Sequence, residues 1–166
     1  MKIGVLGGSF DPPHNGHLFV AKELLKQKAV EKIILMPVFK HPFGKQVTQA
    51  KHRLAMTKLL DNENIIASDM ELKKEGLSYS TDTLRALKNQ FPKDDFAWIM
   101  GEDQLKDFKK WKGWKEIKEK FGLMVVPRKL AVSSSEIRKR IKMGKDIADL
   151  VPKEVKSYIM KHNLYA

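Results

Sequence analysis

Short apolar runs alternate along this chain with segments of helical period, and that alternation limits the fold more than any other feature. The runs fall at residues 2–6, 32–36, 64–67, 96–100 and 122–126, each long enough for a buried strand and too short for a helix. Between them, Leu18, Ala21, Leu24 and Leu25 make one helical stripe, Leu54, Met56, Leu59 and Leu60 a second, and Leu84, Leu87 and Phe91 a third. Strands alternating with helices predict parallel pairing, with the helices packed over the sheet. The expected fold is therefore α/β: a Rossmann-like parallel sheet of about five strands, helices on both faces, and a C-terminal helical segment.

The end of the chain breaks the pattern. After Val126 no strand follows; Ser133 and Glu136 have the spacing of a capping box for a helix carrying Ile137 and Ile141, and a last helix follows Pro152 with Val155 and Ile159 one turn apart. With 166 residues and 42% apolar composition, one substantial core is affordable. A single domain over residues 1–166 is expected, with a Rossmann-like core to residue 128 and a helical part from 129. No cysteine is present, which excludes disulfides and thiolate metal sites, and no signal peptide or membrane span is apparent, so a cytoplasmic setting is expected.

The net charge of +12 attracts anions of any kind, nucleic acid and small polyphosphates alike. A dense basic stretch at residues 106–120 has apolar residues at helical spacing, as a solvated helix face would.

Chemistry concentrates between the first strand and the first helix, in Gly7-Gly8-Ser9-Phe10-Asp11-Pro12-Pro13-His14-Asn15-Gly16-His17. Two glycines allow a sharp turn and close backbone approach to a ligand, and the following helix directs its free N–H groups at that space. His14 and His17, one turn apart, are placed to donate to phosphate oxygens. Two other readings stand beside this one. The histidines could be ordinary helix caps, or a metal pair with Asp11 as a third ligand. The stretch has neither the lysine of a Walker loop nor the spacing of a dinucleotide fingerprint.

This stretch resembles the H-x-G-H signature of the nucleotidylyltransferase superfamily, and residues 8–18 are similar to its bacterial nicotinate-nucleotide adenylyltransferase branch. Three further motifs follow in that family's order. Ser78-Tyr79-Ser80-Thr81-Asp82-Thr83-Leu84 is similar to its S-Y-T-x-D-T-L, with Ser80 as a plain helix N-cap the alternative. Gly101-Glu102-Asp103, with Leu105, Trp111 and Trp114 downstream, is similar to its G-x-D-x-L stretch. Residues 132–138, Val-Ser-Ser-Ser-Glu-Ile-Arg, are similar to its I-S-S-T-x-I-R. The likeness extends to Asp149-Leu150-Val151-Pro152 and the closing Asn163-Leu164-Tyr165.

The resemblance implies transfer of AMP from ATP to nicotinate mononucleotide, releasing pyrophosphate, within NAD biosynthesis. It implies catalytic roles for His14, His17 and Arg138, and ATP contacts from Gly7, Gly8, Ser9, Phe10, Gly16, Gly101, Asp103, Arg128, Ser134 and Ser135. Asp103 would accept from the adenylate ribose. Contacts to nicotinate mononucleotide are expected from Lys40, His41, Lys45, Tyr79, Ser80, Thr81 and Trp111, whose indole would stack on the pyridine ring. Mg²⁺ is expected to arrive with ATP, with no separate metal site, and neither nucleic acid nor membrane as a partner. The alternatives are nicotinamide mononucleotide or phosphopantetheine as acceptor and, from another class, a basic nucleic-acid-binding module whose affinity would fall with salt. Two departures from the family stand out: Lys40-His41-Pro42-Phe43-Gly44-Lys45 occupies the place of a P-P-H-K loop, and only residues 129–132 separate Arg128 from the serine motif.

Overall fold

The computed structural model describes residues 1–40 and 44–166. Five parallel strands, β1 (Lys2–Gly8), β2 (Lys32–Pro37), β3 (Ile65–Ala67), β4 (Asp95–Gly101) and β5 (Leu123–Val126), form one sheet in the order β3-β2-β1-β4-β5. The chain runs outward from β1 to β3 and then crosses back to place β4 on the other side of β1. The carboxyl ends of β1 and β4 thus flank the point where strand order reverses, which is where open α/β sheets bind ligands.

Alternation along the strands divides the apolar residues between two cores. Ile3 and Val5 of β1 and Phe96, Trp98 and Met100 of β4 face one way, against Leu84 and Leu87 of α4 (Ser80–Gln90), together with Phe108 and Ile117. Leu6, Ile33, Leu35 and Ile99 face the other way. There they meet Ala21 and Leu24 of α1 (Asn15–Lys26) and Met56 of α2 (Ala50–Lys58). Ile137 of α6 (Ser134–Lys142) and Val155 and Ile159 of α7 (Lys153–Lys161) join that same core, so the C-terminal helices share the apolar layer on that face of the sheet. No helix among the described residues is long and apolar enough to cross a membrane.

Several local expectations are revised. The second stripe holds only in part: Met56 and Leu60 reach the core, but α2 also buries Arg53 and Thr57, and Leu59 lies past its end and is exposed. Phe91 follows α4 and is likewise exposed, so only two of the third stripe's residues reach the core. A short helix, α3 (Met70–Lys74), has no counterpart in the sequence pattern. The basic stretch 106–120 is not one helix. It divides into a 3-10 helix (Glu102–Lys110), the single turn α5 (Trp114–Glu116) and a π turn (Ile117–Phe121). The break falls at Gly113, whose φ of 70° is left-handed and whose missing side chain makes room for Thr81.

Candidate active site

The loop joining β1 to α1 sets the first half of the site. His14 is the N-cap of α1 and His17 its third residue, and each caps through its ring: Gly16 N–H donates to His14 Nδ1 at 3.1 Å, and His14 N–H to His17 Nδ1 at 3.1 Å. Both Nδ1 atoms therefore act as acceptors, which leaves the proton of each neutral imidazole on Nε2, facing away from the helix. The rings stack with centroids 3.8 Å apart. Burial, reinforced by the Arg128 charge, lowers the His14 pKa to about 4; burial, then His14 itself, holds His17 well below its ordinary value. The capping reading and the phosphate-donor reading are thus compatible, because capping is what presents two neutral Nε2–H donors. A metal pair fits less well. The Asp11 carboxylate turns away from the histidines, accepting from Tyr165 Oη at 2.6 Å and Thr48 N at 3.0 Å. Among the described residues no three His, Cys, Asp or Glu side chains gather as a metal-binding group.

Phe10 is fixed beside them. Its φ of 49° is unusual for a bulky side chain and costs about 1–2 kcal/mol, offset by near-total burial of the ring, which lies 4.6 Å from the His17 ring. Gly7 is required for a different reason: a Cβ there would stand 2.4 Å from the Trp98 indole, which passes beneath the strand end.

The start of α6 sets the other half. Ser133 caps it, accepting from Glu136 N at 3.2 Å, but the reciprocal half of the expected box is missing because Glu136 turns to Arg140. Ser134 Oγ donates to Pro12 O at 2.8 Å, and Arg138 spans Asp11 O at 2.7 Å and Ser135 Oγ at 3.3 Å. The two helix N-termini are in this way tied to one loop.

Two adjoining cavities open here. One, of about 360 Å³, is lined by all the residues expected at ATP and at catalysis: Gly7, Gly8, Ser9, Phe10, His14, Gly16, His17, Gly101, Asp103, Arg128, Ser134, Ser135 and Arg138. The other, of about 480 Å³, shares Gly7, Gly8, Asp103 and Gln104 with it and is walled by Tyr79, Ser80, Trp98 and Trp111, with Lys110 and Lys112 at its edge.

The remaining acceptor residues divide. Tyr79, Ser80 and Trp111 line the larger cavity, and Ser80 makes no capping bond because Tyr79 holds the cap position. Thr81 is buried beneath it, donating to Lys112 O at 2.7 Å, so it supports the wall rather than facing a ligand. Lys45 borders the smaller cavity, because the chain returning toward α2 passes there. Lys40 is exposed, bridges to Leu77 and lines neither cavity; His41 lies outside the described residues.

Two buried charged residues were not anticipated. Arg53, 1% exposed, donates from Nε to Thr48 O at 2.7 Å, from Nη1 to Ser9 O at 2.9 Å and Val38 O at 2.7 Å, and from Nη2 to Phe39 O at 3.2 Å, clamping the loops after β1 and β2. An arginine among the leucines and methionines of α2 was the signal. Glu71 of α3, 3% exposed, lines the larger cavity and accepts from Thr83 Oγ1 at 2.5 Å, while its Oε2 and the nearby Ser78 Oγ have no partner among the described residues. Burial pushes its carboxyl up to about 7, against the lowering pull of Thr83 and Lys74.

The cytidylyltransferase-like family matches residues 5–142. Nicotinate-nucleotide adenylyltransferase of Bacillus subtilis is 34% identical over 185 residues, covering 99% of this chain and 98% of its own. The fold is also that of Plasmodium falciparum nicotinic acid mononucleotide adenylyltransferase, solved in complex with NaAD, at a TM-score of 0.79 and 22% identity over 99% of this chain and 97% of that one. A family match over most of the chain and a relative similar along its whole length place this protein in the cytidylyltransferase-like family, in its nicotinate-nucleotide adenylyltransferase branch.

Proposed function

We propose that this protein transfers AMP from ATP to nicotinate mononucleotide, forming nicotinate adenine dinucleotide and pyrophosphate, in the cytoplasmic synthesis of NAD. The observation that carries the reading is the pair of adjoining cavities joined at Gly7, Gly8 and Asp103, one faced by histidines and helix N-termini and the other by aromatic rings. The name of the Bacillus subtilis relative supports the same reaction.

In the proposed mechanism a 5′-phosphate oxygen of the acceptor attacks the α-phosphorus of ATP in line. The new P–O bond forms as the bond from the α-phosphorus to the bridging oxygen breaks, and pyrophosphate leaves with that electron pair. No residue forms a covalent intermediate, so catalysis is positioning and charge stabilisation. Nε2–H of His14 and His17 donate to the phosphate oxygens, and the polyanion's approach raises both pKa values toward protonation, strengthening the bonds as charge develops. The first amides of α6, with Ser134, Ser135 and Arg138, receive the leaving pyrophosphate. Asp103 accepts from the adenylate ribose at the seam of the two cavities. Trp111 stacks on the pyridine ring, and Lys110 or Lys112 meets the acceptor's phosphate. A divalent metal accompanies ATP in enzymes of this kind; here Mg²⁺ is proposed to enter as part of the substrate, held by phosphates and water.

The test is pyrophosphate release from ATP with nicotinate mononucleotide, nicotinamide mononucleotide and phosphopantetheine as separate acceptors. Fastest turnover with the first is expected; release with none of them would overturn the proposal.

A further inference from the structure

The closing Asn163-Leu164-Tyr165 has no part in the reaction described above, yet it reaches the site. After α7 the chain doubles back through two left-handed residues, Asn163 at φ 49° and Tyr165 at φ 65°, with Leu164 N–H donating to Ile159 O at 3.1 Å. That conformation is uncommon outside glycine, less so for an asparagine than for a tyrosine. Here the Tyr165 ring packs against the α1/α2 core and its hydroxyl donates to Asp11 Oδ1 at 2.6 Å.

Asp11 lies inside the signature loop and is 3% exposed. A buried carboxylate needs donors, and the two it has among the described residues come from outside the loop, Thr48 N on one oxygen and Tyr165 Oη on the other. The next residues are the two prolines that lead into the His14 cap, and Asp11 O holds Arg138. Burial and the contact with Asp11 raise the tyrosine pKa, so the hydroxyl remains a donor across the working range.

We propose that Tyr165 is a positioning residue for adenylyl transfer: through Asp11 its hydroxyl fixes the loop that aligns His14 and Arg138, so the last residues of the chain complete the active site. The inference rests on the adenylyl-transfer reading, but its test is a ratio between variant and wild type, whereas that reading stands or falls on wild-type turnover alone.

Tyr165→Phe is compared with wild type at a temperature well below the melting points of both. Because misaligned donors weaken the transition state more than the ground state, kcat is expected to fall about tenfold while both KM values stay within about twofold. Tyr158→Phe is the control. It removes the 2.9 Å contact between Tyr158 Oη on α7 and His52 Nδ1 on α2, a hydroxyl near the end of the chain that makes no bond to Asp11, and kcat should remain within about twofold of wild type. Placing 4-aminophenylalanine at position 165 restores a donor and should recover most of the lost kcat. A Tyr165→Phe enzyme with unchanged kcat would overturn the proposal. So would one whose loss the amino analogue fails to repair, or one that folds at no temperature, which would assign Tyr165 to the fold alone.

Discussion

The two cavities share a wall and are built from opposite materials. On the smaller side the polar groups are each fixed by a helix cap or by a bond to a loop carbonyl, as for His14, His17, Ser134 and Arg138, and are set among apolar residues such as Phe10, Phe19 and Val132. On the larger side the walls are rings braced on other rings: Trp111 meets Trp98 with centroids 6.4 Å apart and Phe108 at 5.8 Å, both edge-on. A phosphate chain is much the same in every nucleotide and needs fixed donors, which the polar side supplies. On the proposed reading, recognition of one acceptor over another falls to the aromatic side, where shape and area discriminate. The contrast implies that substitutions on the polar side should act on kcat and ATP, and those on the aromatic side on the acceptor.

The largest effect should come from His17→Ala. Loss of one preorganised donor to the transferring phosphate is expected to lower kcat about a hundredfold to a thousandfold. The ring also caps α1, so about 1 kcal/mol of stability should go with it, too little to unfold the chain. Single-turnover kinetics with melting curves separate the two losses, and a near-wild-type kcat would remove His17 from the chemistry.

Trp111→Ala tests the aromatic side. A stacked ring is worth roughly 1–3 kcal/mol, so KM for nicotinate mononucleotide should rise about tenfold to a hundredfold with KM for ATP little changed. Because Trp111 is half-buried against Trp98 and Phe108, some loss of melting temperature is also expected. Trp111→Phe, which keeps a flat ring, should recover most of the affinity. Equal damage to both KM values would mean that the two sides are not independent.

Arg138→Lys returns to the polar side with a smaller effect. The guanidinium spans Asp11 O and Ser135 Oγ at once, which a single ammonium cannot, so KM for ATP should rise about tenfold. Unchanged ATP kinetics would relegate Arg138 to bracing the loop.

The same contrast governs what the sequence revealed. The polar side was legible because phosphate chemistry demands particular residues at close spacing, and every residue expected at ATP lines one cavity. The aromatic side was legible only at Tyr79, Ser80 and Trp111, since Trp98, Lys110 and Glu71 arrive from a strand, a 3-10 helix and a short helix far apart in sequence. Periodicity located the strands because both faces of a parallel sheet are buried. It failed at α2, where Arg53 occupies an apolar position on account of four loop carbonyls that no local pattern announces. Lys45, expected at the acceptor, borders the smaller cavity because of the course of the chain after the loop, which no local pattern announces.

The smallest effect is expected at Glu71, the one acidic group buried in the aromatic side's wall. Its carboxyl titrates near 7 when folded and near 4.5 as a free side chain, so the folded state holds the proton more tightly. Its contribution to stability is full below pH 4.5 and is lost as the pH rises to about 7. His14, on the polar side, has the opposite slope, because its pKa falls from 6.5 to about 4 and stability is lost as the pH drops through that window. Glu71→Gln removes the first slope and keeps an acceptor for Thr83 Oγ1. The variant should therefore match wild type in stability near pH 4.5 and exceed it by about 1 kcal/mol at neutral pH, a rise of roughly 2–4 °C in melting temperature, the full linkage value being reduced by the burial cost of the amide. Its acid limb, to which the lowered His14 and His17 both contribute, should be unchanged. A melting-temperature difference that is flat across this range would mean that Glu71 is ionised in the folded protein and that its free oxygen finds a donor in solution.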